Sequence, residues 1–163
     1  MKIFPNILLG ITGSIAAYKS ADLVRNLTKQ GFNVRVVMTN AATKFITPLT
    51  LQTLSNQPVY IDMFENEMEH INLARWADVI LIAPATADFI TKLTYGHTDN
   101  LLNTICLATT APIFIAPAMN QQMWNADITQ KNCQKLRQRN IKFFGPAIGS
   151  QACGELGAGR MLE

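Results

Sequence analysis

The stretch Pro112-Ile113-Phe114-Ile115-Ala116-Pro117-Ala118-Met119-Asn120-Gln121-Gln122-Met123-Trp124 carries a strand and its abrupt end. An apolar run bounded by prolines suits a strand of a parallel sheet, covered on both faces. The Pro-Ala-Met-Asn break then sets an amide side chain where the strand stops. Open α/β sheets bind ligands at the carboxyl ends of their strands. Asn120 offers a donor and an acceptor, so it can orient a carboxylate or an amide without carrying charge. The same chemistry would let it cap the following helix. The residues themselves leave both readings open.

Working outward, the same pattern recurs. Ile7–Ile11 reads as a first strand, Thr12-Gly13-Ser14 as a turn, and Ile15–Gln30 as a helix stopped by Gly31. Asn33–Met38 completes a βαβ unit, which places the first turn at the carboxyl edge of the sheet. That turn lacks the third glycine of the dinucleotide fingerprint, and Ala16-Ala17 follow instead. It still offers a small residue, hydroxyls and a helix start, the chemistry a phosphate needs. A turn of this kind also serves folds with no ligand. At the end of the second strand, Thr39-Asn40 stand where a dinucleotide site would carry an acid. Neutral groups there point away from NAD, toward a flavin mononucleotide or a lone phosphate; capping of the next helix is the competing reading.

Asp78–Ala83 is the clearest buried strand, ending in Pro84-Ala85-Thr86-Ala87-Asp88. Pro48–Leu54 and Phe89–Tyr95 read as helices, the second closed by Gly96. Leu101–Thr109 follows a cap at Asp99 or Asn100. Trp124–Arg139 reads as one or two helices, with short strands at Val59–Ile61 and Lys142–Phe144. Between them, an acidic approach leads to His70, just before a helix. A lone histidine is more often a surface or satisfied polar group than a catalytic one. The tail from Gly145 to Met161 holds five glycines. It reads as a mobile flap able to close over a ligand rather than a core element. Of the three cysteines, Cys106 reads as packing, Cys133 as incidental, and Cys153, flanked by Ala152 and Gly154, as the sterically open thiol.

Composition bounds the alternatives. The 163 residues are 48% hydrophobic and 15% charged, which suits one folded domain over residues 1–163 with some surface covered by other subunits. A net charge of +3 without a basic run argues against nucleic acid. No stretch reaches the length of a membrane span. Met1–Asn6 run straight into the first strand and read as no signal peptide. Three cysteines without metal spacing suit a reducing, cytoplasmic compartment.

Three stretches together resemble the flavin-dependent cysteine decarboxylases, nearest to those acting on 4'-phosphopantothenoylcysteine in coenzyme A biosynthesis. They are Gly13-Ser14-Ile15-Ala16-Ala17, Pro117-Ala118-Met119-Asn120 running to Met123-Trp124, and Ala152-Cys153-Gly154 running to Gly159-Arg160-Met161. The likeness spans essentially the whole chain. It implies a flavodoxin-like (Rossmann-like) doubly wound parallel sheet, with FMN bound between subunits of a trimer or of a dodecamer of trimers. It assigns Gly13, Ser14, Ile15 and Thr39 to the flavin phosphate region, and Thr86, Ala87, Asp88, Phe89 and Ala118 to the flavin. It makes His70 the base, Asn120 the holder of the substrate carboxylate with Ser150, Ala152 and Met161, and Cys153 the late proton donor. Many family members carry Asn where Asp88 stands, which puts the hydrogen bonding there in question.

The implied chemistry is two-electron oxidation to a thioaldehyde, loss of CO2 to an enethiol, and return of the hydride. The resemblance also admits a peptidyl-cysteine decarboxylase or a non-catalytic FMN-binding regulatory subunit, although the acidic tails of the latter are missing. A flavin prenyltransferase is disfavoured by the Asn120 and Cys153 motifs. In many bacteria such a domain precedes a synthetase, so the chain reads equally as stand-alone or excised.

Overall fold

A computed structural model describes residues 4–163; Met1, Lys2 and Ile3, read above as leading into the first strand, lie outside it. Six parallel strands form the main sheet: β1 (Asn6–Ile11), β2 (Asn33–Met38), β3 (Val59–Tyr60), β4 (Val79–Ala85), β5 (Ile113–Pro117) and β6 (Lys142–Phe143). They lie in the order β3-β2-β1-β4-β5-β6. The order reverses direction between β1 and β4, the switch point where doubly wound sheets open a crevice. Both inner strands are buried on both faces, which is why they read as continuous apolar runs. Leu8 of β1 joins a core with Ile80, Ile82, Leu73, Phe89 and Leu102, while Leu9 and Ile11 join another with Val36, Met38 and Leu51.

Two helices, α1 (Lys19–Lys29) and α2 (Pro48–Ser55), supply Val24 and Leu51 to the second core. The first core is built with α3 (Glu69–Trp76), α4 (Ala87–Tyr95), α5 (Leu101–Ala108) and α7 (Asp127–Gln138). A short α6 (Gln121–Asn125) leaves the end of β5. Gly10 is the one residue of β1 that the packing forces to be small. A Cβ there would lie 2.6 Å from Ile82 Cδ1 and 2.7 Å from Leu102 Cδ1. Among the described residues no helix is long and apolar enough to cross a membrane.

The structure corrects three expectations. The first helix does not run unbroken from Ile15. It opens as a 3-10 turn over Ile15–Tyr18, capped by Ser14, whose Oγ accepts from the Ala16 amide at 3.2 Å, and only then becomes α1. Cys133 is not incidental: it is fully buried with Leu136 in the first core. Its helix turns Thr129, Asn132, Cys133 and Leu136 inward, and the two polar members of that stripe disguised it. The glycine tail carries regular pairing that the sequence reading did not assign, an antiparallel ribbon of β7 (Ala147–Ser150) with β8 (Leu156–Arg160).

Candidate active site

Loops after β1, β2, β4 and β5 converge with the β7–β8 ribbon on one cavity of about 990 Å³. That is the upper range of small-molecule sites. Thr12 ties the first and third of these loops across the switch point. Its buried hydroxyl donates to Pro84 O at 2.7 Å and accepts from the Thr86 amide at 3.0 Å. Ser20 adds a second tie, donating to Ala83 O at 2.8 Å. The loop after β2 closes against Gly13, where a Cβ would meet Ala41 Cβ at 2.5 Å. So Gly13 is small because two backbones meet there, beyond any need of a ligand.

Gly13, Ser14, Ile15, Thr39, Thr86, Ala87, Asp88, Phe89 and Ala118 all line this cavity, and so do Asn120, Ser150, Ala152, Cys153 and Met161. His70 does not. It lies in the first turn of α3, beside a separate small hollow with Met63, Phe64 and Met68. The capping reading holds in part: Thr39 takes a backbone amide of the next turn, whereas Asn40 does not cap it. Thr39 Oγ1 accepts from the Ala42 amide at 3.3 Å, and Thr86 Oγ1 from the Phe89 amide at 3.2 Å.

Asn120 uses both ends of its amide within the chain. Oδ1 accepts from the Gln122 amide at 2.8 Å, capping α6. Nδ2 is turned to the ribbon, 2.9 Å from Glu155 Oε2 and 3.6 Å from Cys153 Sγ. Gln151 braces the same junction: its Oε1 accepts from the Gln121 amide at 3.1 Å and its Nε2 donates to Ala158 O at 3.2 Å. The Met119 amide donates to Gly159 O at 2.9 Å. A Cβ on Gly159 would stand 2.2 Å from Met119 O, and its φ of +138° lies in glycine territory. The glycines thus let the ribbon dock on the Asn120 loop.

Several lining residues were missed by sequence reading. Lys19 follows one turn after Ser14, a spacing that could have revealed it; its Nζ donates to Glu163 Oε1 at 2.8 Å. Lys92 bridges Asp99 at 2.9 Å and Asp88 at 3.2 Å. The hydrogen bond with Asp99 raises the Lys92 ammonium above its ordinary pKa and holds the Asp99 carboxyl below its own. Asn103 lies on α5, where nothing local distinguishes it from a core position. Chemically the cavity combines a helix start, an apolar wall at Phe89 and Ala118, and an exposed thiol beside an amide donor. All three cysteines are free, and burial pushes the Cys106 thiol up to about 12 and raises that of Cys133.

The family model described as Flavoprotein matches residues 2–163. The coenzyme A biosynthesis bifunctional protein CoaBC of Haemophilus influenzae is 55% identical over 162 residues, covering 97% of this chain and 40% of that protein. The chain therefore spans about 40% of the length of the curated relatives it matches. Among solved structures, a PPC decarboxylase variant complexed with pantothenoylaminoethenethiol has a TM-score of 0.86 at 34% identity, covering 99% of this chain and 92% of that one. The FMN binding protein AtHal3 has a TM-score of 0.83 at 34% identity, covering 99% and 91%. By its sequence over almost its whole length and by its fold, this chain belongs to the Flavoprotein family.

Proposed function

We propose that this chain is an FMN-dependent decarboxylase converting 4'-phosphopantothenoylcysteine to 4'-phosphopantetheine in coenzyme A biosynthesis. The observation that carries it is the placement of Asn120 Nδ2 3.6 Å from Cys153 Sγ on the wall of a flavin-sized cavity. The relatives named above support the substrate and the cofactor. The residues present fit FMN. The hydroxyl of Ser14 and the helix start it opens suit an anionic phosphate. Phe89, Ala87 and Ala118 suit the ring.

Bound FMN would supply the two-electron oxidation of the cysteinyl carbon that makes CO2 loss possible, and the hydride returned afterwards. The chain supplies the rest. Asn120, fixed by its cap on α6, presents Nδ2 to the substrate carboxylate. Glu155 Oε2 takes that donor in the structure, so the substrate carboxylate replaces one acceptor by another. The ribbon then holds the substrate against water, with Ser150, Ala152 and Met161 along it. Cys153 Sγ, exposed and adjacent, delivers a proton to the enethiol carbon after CO2 has left.

His70 acts as the base from a neighbouring copy. Its own cavity does not contain it, and the residues around it, Phe64 and Met68, are 86% and 60% exposed. A second chain docking there would cover this apolar surface and receive the imidazole at its own cavity mouth. The assembly is a homotrimer in the cytoplasm, a compartment that suits three free thiols. The test is turnover with mass detection. Loss of CO2 from phosphopantothenoylcysteine by the yellow protein, without added pyruvate or pyridoxal phosphate, is the expected result. Turnover of peptides with a terminal cysteine in its place, or a protein that takes up no FMN, would overturn the reading.

A further inference from the structure

The residue that the site leaves unexplained is Asn103. It is 1% exposed and lines the cavity, yet its Nδ2 has no hydrogen-bond partner among the described residues. The orientation of its amide follows from its neighbours. Asn100 Oδ1 accepts from the Asn103 backbone amide at 2.9 Å, capping α5. The other end of the Asn100 side chain is therefore its donor, and it meets Asn103 Oδ1 at 2.6 Å. Turning the Asn103 amide over would set two NH2 groups against each other. The orphan is thus a donor, and burying a donor unpaired is costly.

Only one other described side chain carries such an orphan, Asn132 Oδ1. That residue sits on α7 and is bonded to Thr91 of α4, away from the cavity. Asn103 differs in lining the cavity. We propose that Asn103 is a cofactor-contacting residue, donating from Nδ2 to an uncharged acceptor of the bound flavin nucleotide, a ring carbonyl, ring nitrogen or ribityl hydroxyl. This rests on the FMN reading above. The charge at this end of the cavity selects the acceptor. Asp88 and Asp99 flank Lys92 at 3.2 and 2.9 Å, so two carboxylates outweigh one ammonium by one negative charge. A phosphate is repelled there and belongs at the Ser14 end, while a neutral oxygen or nitrogen satisfies the donor.

The experiment takes the flavin-loaded protein as purified and measures release of FMN on serial dilution, read as free-flavin fluorescence. Asn103→Leu removes the donor at similar volume and leaves Asn100 Nδ2 its second partner, Asp99 Oδ1 at 3.1 Å. Asn103→Asp keeps the shape and turns the donor into an acceptor. Both variants are expected to weaken FMN binding, the Leu variant about tenfold and the Asp variant more. Cys106 and Cys133 should stay unreactive toward a thiol reagent in both. The proposal is overturned if either folded variant retains FMN like wild type, or if flavin loss runs in parallel with exposure of those two thiols. Wild-type protein that itself holds no FMN would instead sink the cofactor assignment beneath it.

Discussion

Asn120 divides its amide between the α6 cap and the ribbon, and that division is testable one atom at a time. Asn120→Asp keeps an oxygen for the Gln122 amide, and a carboxylate at a helix start is favourable. It turns the donor Nδ2 into a negative oxygen facing Glu155 at 2.9 Å and any substrate carboxylate. Decarboxylation should fall at least about 100-fold, the scale of losing one well-placed donor, while bound flavin and the melting temperature stay near wild type. Steady-state CO2 release and a thermal melt check both halves. A second prediction concerns the thiols. Cys153 is exposed, whereas burial holds Cys106 at about 12 and raises Cys133. The native protein should therefore take up one equivalent of alkylating reagent per chain quickly, and three only in denaturant, as intact mass would show. Sequence alone left Asn120 between a cap and a ligand because it shows which groups a side chain has, not that the two ends can serve different neighbours. Cys133 was hidden for a related reason: Thr129 and Asn132 share its buried face and read as polar.

At the level of elements, legibility followed burial. β1 and β2 are covered on both faces, and their apolar runs locate them almost residue for residue. The ribbon is the opposite case. Its glycines suggested looseness, since what they permit is an approach by Met119 and Gln121, remote in sequence. Gly159→Ala tests this. A methyl group there meets backbone rather than a flexible side-chain end, and the φ of +138° penalises it further. The ribbon should lift from the Asn120 loop. Hydrogen exchange of residues 147–160 should rise and activity should drop, with the exchange of β1 and β4 unchanged. The α4–α5 link gives a pH signature. Lys92 holds the Asp99 carboxyl below its ordinary pKa, so the folded form favours the charged acid. That contribution is present above the unfolded value, about 3.9, and disappears as pH falls through the folded one. Asp99→Asn should therefore destabilise slightly at neutral pH, by less than about 1 kcal/mol for so exposed a pair. The difference from wild type should close in urea titrations as pH falls below the ordinary carboxylate range and through the lowered value of Asp99.

For the whole molecule, the residue that sequence could not place is His70. The family resemblance implies a part for it in the chemistry, but no reading of one chain tells which cavity it serves. The fold sets it on α3, outside the space shared by Asn120 and Cys153. Delivery from a neighbouring copy makes a prediction that a self-contained site does not. His70→Asn and Cys153→Ser should each abolish turnover alone. Mixed under conditions that exchange subunits, they should regain activity, because a chain with intact Cys153 can sit beside one with intact His70. In a cyclic trimer of randomly mixed chains, three quarters of the rings are mixed, and each mixed ring has one such junction among its three. About a quarter of the wild-type sites are then complete at equal mixing, and the regained rate should vanish when exchange is prevented. A mixture that stays silent while mass spectrometry shows hybrid rings would place His70 outside the neighbour's site. A sedimentation measurement showing single chains at working concentration would remove the assembly on which this delivery depends.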